Sequence, residues 1–123
     1  MDVSVERDGE GRFIIRCPRE MRWDTRADLV DDLQAAAGDR PVRSVILDLD
    51  DVDYLNSAAL GAVFTLRKRL HDNGGRLIVC RPNPTIARLL RTVNMPALIP
   101  VVETLDEARS LLDQSCAEGA DDA

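Results

Sequence analysis

The sequence is poor in aromatic residues, histidine and cysteine, and it has no long apolar run. Its aromatics are Phe13, Trp23, Tyr54 and Phe64, and its formal net charge is −6. Nucleic acid is therefore not an expected partner, since it calls for a basic face and stacking platforms. The one histidine, His71, and the cysteines Cys17, Cys80 and Cys116 stand far apart. With no Cys-x-x-Cys pair, a metal site or disulfide framework is not expected, and no cofactor is implied. Reduced, mostly buried thiols fit the cytosol. No apolar stretch approaches the roughly 18 residues of a membrane span. The start, Met1 to Arg7, lacks the basic and apolar regions of a signal peptide. A cytoplasmic location without a membrane segment is the expectation.

What is present is an ordinary globular composition, 45% apolar and 31% charged over 123 residues, enough for one domain with one core. Glu118, Asp121 and Asp122 crowd the end of the chain. Residues 117–123 are expected as a disordered acidic tail and 1–116 as the domain. A protein is the expected kind of partner.

The chain turns on the stretch Asp51 to Gly61. Before it, Val45-Ile46-Leu47 reads as a buried strand; after it, Leu60, Val63, Phe64, Leu66 and Leu70 recur at helical spacing. A helix is predicted from Ser57 to Asp72, closed by Asn73-Gly74-Gly75. Asn56 and Ser57 are both good N-cap types. If Asn56 caps, Ser57 is the first helical residue, with its hydroxyl turned outward. With Ala58, Ala59 and Gly61 beside it, that hydroxyl has little steric cover at the positive end of the helix dipole, a good seat for a phosphate.

Taken in order, Val3–Arg7 and Arg12–Cys17 read as a hairpin around Asp8-Gly9-Glu10-Gly11. Arg19 to Trp23 is a connection. Asp24 or Thr25 caps a helix to about Ala37, with Leu29, Val30, Leu33, Ala36 and Ala37 inward. Val42–Leu49 is a strand apolar on both faces, as a strand covered on both sides is. Arg76–Cys80 is another strand. Asn83-Pro84 opens a helix that ends near Asn94. Leu98–Val102 is an edge strand, because Pro100 cannot donate to a ladder. Thr104 and Glu107 form a capping box for a last helix to about Cys116. The order ββαβαβαβα gives an α/β fold: a mixed, mostly parallel sheet with an antiparallel edge.

Several chemistries are disfavoured. Asp48, Asp50, Asp51 and Asp53 invite comparison with the magnesium site of a phospho-acceptor receiver, but no second acidic pair or downstream lysine accompanies them, so a solvated acidic loop is expected. Ser57 is no hydrolase nucleophile: His71 lies about 21 Å along the same helix at ~1.5 Å per residue, and a base must stand within ~3 Å. Gly74-Gly75 is a helix stop without a phosphate-loop lysine. Arg67, Lys68 and Arg69 form a basic ridge, ordinarily a solvated face. No catalytic residue is assigned, and a non-enzyme is expected.

Three stretches together resemble STAS domains, the family of anti-sigma factor antagonists. They are Val45 through Gly61, Gly74 through Pro82, and Asn83 through Val102. The family's usual helix start is Asp-Ser-Ser/Thr-Gly-Leu-Gly; here Asn56 precedes Ser57, and Ala58 and Ala59 follow. Arg19-Glu20-Met21-Arg22 stands where the family commonly has Gly-Glu-Leu-Asp. The resemblance implies a regulatory protein phosphorylated at Ser57 by an anti-sigma factor with a histidine-kinase-like ATPase fold. It also implies binding of that partner when unphosphorylated, and resetting by a serine phosphatase. The implied partner surface is Glu20, Met21, Arg22, Trp23 and Asp24 with Asp53, Tyr54, Leu55, Asn56, Ser57, Ala58 and Ala59. The alternative is a scaffold or sensor subunit that never receives phosphate and holds a protein assembly or a small ligand.

Overall fold

The computed structural model describes residues 4–9, 11–21, 33, 35, 37, 38 and 42–113, together with the backbone as far as 122. In chain order the strands are β1 (Ser4–Gly9), β2 (Arg12–Arg16), β3 (Glu20–Met21), β4 (Ser44–Asp48), β5 (Tyr54–Leu55), β6 (Arg76–Cys80) and β7 (Val101–Val102). The helices are α1 (Ser57–Asp72), α2 (Pro84–Thr92) and α3 (Leu105–Asp122), and Met95–Ala97 forms a 3-10 turn. Leu33, Ala35 and Ala37 are helical and precede β4; the rest of the helix expected over residues 24–37 lies outside the described residues.

The main sheet has the order β1-β2-β4-β6-β7. β1 and β2 are antiparallel, as a hairpin must be, and every other pairing is parallel. This is the mixed sheet with an antiparallel edge that the alternation of strands and helices predicts. Side chains alternate across it. Ile14, Ile46 and Ile78 stand in register on adjacent strands and meet Ala108 and Leu112 of α3. Phe13, Ile15, Val45, Leu47, Leu77 and Val79 point to the other face, against α1, α2, Leu33 and Ala37. Both faces of β4 are thus buried, which explains its unbroken apolar run.

The predicted bounds of α1 and β6 hold to the residue. Gly74, with φ of +79, takes the left-handed turn after α1. A Cβ on Gly75 would run into the Arg43 carbonyl, so only glycine lets α1 end where β6 begins against β4. Other boundaries differ from expectation: β1 runs on to Gly9, into the expected turn, and β4 is shorter than the expected Val42–Leu49. The last strand contains only Val101 and Val102, because Met95–Ala97 winds into a 3-10 turn and leaves Leu98 outside the sheet. The helical backbone of α3 runs to Asp122, past the stop expected near Cys116; side chains beyond residue 113 lie outside the described residues.

The second sheet is the unexpected element. β3 and β5 pair in parallel, Glu20 with Tyr54 and Met21 with Leu55. Strands of two residues carry no period to read in a sequence. Their pairing joins the connection after β2 to the loop before α1.

Candidate functional site

The central strand β4 ends in a buried acid. The Asp48 side chain is 2% exposed, and it is ringed by donors. Arg16 Nη1 donates to Oδ2 at 2.8 Å; Arg81 Nη2 donates to Oδ2 at 2.6 Å and its Nε to Oδ1 at 3.1 Å; the Asp50 backbone N–H donates to Oδ1 at 3.1 Å. Such charge-assisted, forked contacts are what a buried carboxylate requires. The hydrogen bond to Asp48 raises the Arg81 pKa, so its charge is permanent. Arg81 takes a left-handed backbone, φ +58, to turn its guanidinium back over the strand ends. The expected solvated acidic loop is therefore corrected at one position. Asp50, Asp51 and Asp53 are exposed, while Asp48 is buried and held by Arg16 and Arg81. Among the described residues no group of three or more metal-ligating side chains is placed to hold an ion.

Beside this anchor lie two thiols, Cys17 and Cys80, both buried and free. Burial pushes the Cys80 thiol up to about 12, and the Asp48 charge adds to it; burial and the same charge push Cys17 well above the ordinary thiol range. Both effects disfavour the thiolate, which is the reactive form.

From Asp48 the chain is held at each step toward α1. The Val52 side chain is buried, and its carbonyl accepts from Asn83 Nδ2 at 3.0 Å. The Arg19 carbonyl accepts from the N–H groups of Asp53 at 2.7 Å and Tyr54 at 3.2 Å, and the Met21 carbonyl accepts from Asn56 N–H at 3.1 Å. The exposed Arg19 guanidinium pairs with Asp53 at 2.9 Å. Asn56 then caps α1: its Oδ1 accepts from the Ala59 N–H at 2.8 Å. Ser57 follows as the first helical residue, with an exposed side chain. The first turn of α1 holds no acidic residue, so nothing on the helix neutralises the positive end of its dipole.

The structure thus brings Glu20 and Met21 together with Asp53 through Ala59, as the sequence reading grouped them. Within the group the roles divide. Glu20, Asp53, Tyr54 and Ser57 are exposed, and Asn56 and Ala58 are half-buried. Met21, Leu55 and Ala59 are buried, so they support the surface from beneath and do not present it. Arg22, Trp23 and Asp24 lie outside the described residues. Sequence reasoning missed Arg16, Arg81 and the second role of Asn83. Arg16 closes an apolar strand and Arg81 precedes Pro82, and neither pattern says what an arginine will face.

A mixed, mostly parallel sheet with helices on its faces, and a capped helix start beside a short strand pair, define an α/β class of domain. The chain belongs to the STAS domain family, whose profile matches residues 3–108. Over 96 residues it is 27% identical to BtrV of Bordetella bronchiseptica, a protein assigned to the anti-sigma factor antagonists; the match covers 78% of this chain and 83% of that one. It is 24% identical over 104 residues to the anti-sigma F factor antagonist of Paenibacillus polymyxa, covering 84% and 89%. The fold matches that of the anti-sigma factor antagonist SpoIIAA in its unphosphorylated form, with a TM-score of 0.76 at 18% identity over 92% of this chain and 97% of that one.

Proposed function

We propose that this chain is an anti-sigma factor antagonist that docks an anti-sigma factor on the exposed end formed by β3, β5 and the start of α1, and is released when Ser57 is phosphorylated. The observation that carries this reading is the division of labour at the helix start. Asn56 caps, so Ser57 is exposed with no capping duty. A phosphoserine adds about −1.5 to −2 charge and three acceptor oxygens at pH 7. The free N–H groups and dipole at the start of α1 accommodate that charge, and the domain stays folded. A partner docked over the same spot meets charge and bulk inside a desolvated contact, and leaves. SpoIIAA, whose fold this chain shares, exists in both unphosphorylated and phosphorylated forms.

In this reading the partner is an ATPase-fold anti-sigma factor that is also the kinase, a serine phosphatase resets the switch, and the site of action is the cytoplasm. Ser57→Asp folds normally and loses the partner, and Ser57→Ala binds it constitutively. Incubation with ATP and candidate anti-sigma factor kinases adds the mass of one phosphate at Ser57. The competing reading, a scaffold or sensor subunit that never receives phosphate, draws on Asn56, Ala58 and Ala59 standing where the family pattern has other residues. It is the right one if no mass is gained and all Ser57 variants bind alike.

A further inference from the structure

The connection from β6 to α2, Arg81-Pro82-Asn83, grips the loop before α1 at two points. Arg81 comes one residue after Cys80, which pairs with Asp48 in the β4–β6 ladder. Its backbone, at φ +58, is one that a residue with a long side chain adopts at a cost. Supplying a counter-ion to Asp48 does not require that cost, because Arg16 already donates to Oδ2 at 2.8 Å. What Arg81 adds lies on the loop side. Its Nε donates to Oδ1 at 3.1 Å, the same oxygen that accepts the Asp50 N–H. Its Nη1 stands 3.9 Å from the Asp50 carboxylate. One guanidinium thus holds the last residue of β4 and the loop residue two further on. Asn83 Nδ2 holds the Val52 carbonyl at 3.0 Å, and Pro82 between the two grips has a fixed φ. Within them the loop turns on itself, Val52 N–H donating to the Leu49 carbonyl at 3.0 Å. The Arg19 carbonyl then takes the N–H groups of Asp53 and Tyr54.

We infer that Arg81 is a positioning residue for the docking surface: it clips the turn from Asp48 to Asp50 and so sets how Asp53 to Ser57 meets the partner kinase. The inference rests on the reading of Ser57 as the modified residue. Arg81 acts through the backbone of the loop and not by touching the hydroxyl. Asn83 secures the far side of the turn and Arg81 the near side, so loss of Arg81 leaves the turn held at one end. A misplaced serine is a poor nucleophile for a bound ATP even in a domain that stays folded, since phosphoryl transfer depends on placement.

The test joins amide hydrogen exchange of the whole chain to the kinetics of Ser57 phosphorylation by an ATPase-fold anti-sigma factor that modifies it. Arg81→Gly keeps the left-handed backbone at no steric cost and removes the grip. Amides of Asp50, Val52, Asp53 and Tyr54 are expected to exchange about tenfold faster or more in this variant. Its kcat/KM for phosphorylation is expected to fall about tenfold or more. Arg81→Lys keeps the charge without the fork and is expected to fall between glycine and wild type on both readouts. Arg109→Ala removes the contact of α3 with Asp8 and costs stability away from the loop, so both readouts are expected to stay at wild-type values. Arg16→Ala takes a donor from Asp48 without reaching Asp50 and is expected to change both far less than Arg81→Gly. The inference is overturned if the loop amides of Arg81→Gly exchange at wild-type rates, or if they exchange faster while kcat/KM is unchanged. It is also overturned if Arg16→Ala or Arg109→Ala slows phosphorylation as much. Should the glycine variant not fold, Arg81→Lys decides, and wild-type exchange in its loop overturns the inference. A wild-type chain that no candidate kinase modifies defeats the proposed function instead; the exchange rates, read without a partner, still decide whether Arg81 sets the loop.

Discussion

α1 and α2 begin in the same way and end up with different duties. Each is capped by an asparagine whose Oδ1 accepts the backbone N–H three residues on, at 2.8 Å in both: Asn56 from Ala59, Asn83 from Ile86. Each has an exposed residue next, Ser57 in one and Pro84 in the other. At α2 the first position is filled by a residue already set for the helical φ, one that offers no group for chemistry. At α1 it is filled by a hydroxyl. Since asparagine suffices as the cap in α2, the serine of α1 is not needed for capping. The second difference is inward. Asn83 also donates to the carbonyl of Val52, in the loop that leads to α1. The start of α2 is thus a clamp on the start of α1, while the start of α1 faces outward.

The largest expected effect tests the clamp. Asn83→Ala removes a cap and leaves the Val52 carbonyl without its donor, so a loss of about 2–3 kcal/mol is expected in urea unfolding. Backbone amides from Asp50 to Asn56 are expected to exchange faster in the same variant. Asn56→Ala removes the cap of α1, with an expected cost of about 1 kcal/mol. If the two variants cost the same, Asn83 is a second plain cap and the clamp is an incidental contact.

How much of this was legible in the sequence follows from the same residues. Asn83-Pro84 and the apolar spacing of Leu66 and Leu70 announced both helices, because capping and periodicity are local. The mixed, mostly parallel character of the sheet was legible because strands alternating with helices leave few topologies. The anchor at Asp48 was not legible. An acid after an apolar run reads as the end of a strand in water, and only the fold shows that Arg16 of β2 and Arg81, just past β6, close over it. The same holds for β3 and β5. Met21 and Leu55 pair across a gap in sequence that no local pattern spans. At Ser57 the sequence left capping and outward display both open, and the geometry of Asn56 decides between them.

A transplant sharpens the comparison at smaller amplitude. Pro84→Ser gives α2 the same Asn-Ser start as α1. The expected stability loss is about 0.4–1 kcal/mol, from the greater freedom of the unfolded chain. The new serine lacks the β3–β5 pair beside it, so a kinase that modifies Ser57 is expected to ignore it in a phosphopeptide map. Modification of both serines at similar rates would mean that an exposed Asn-Ser helix start is the whole recognition signal and that the strand pair plays no part.

The smallest effect is the most telling. Ser57→Ala is expected to change unfolding stability by less than about 0.5 kcal/mol, as substitutions at exposed positions without a structural duty do. Ser57→Asp is expected to be neutral or to stabilise by about 0.3–1 kcal/mol, because a negative charge at the first position of α1 meets the positive end of its dipole. The stabilising sign carries the argument: it shows that the domain accepts an anion at Ser57, so loss of a partner by the same variant is an event at the interface and not a symptom of unfolding. Urea midpoints at low and high salt give the check, since the dipole contribution shrinks as salt screens it. A Ser57→Ala variant that loses as much stability as Asn56→Ala would make the serine part of the cap. A modification there would then unfold the helix start itself.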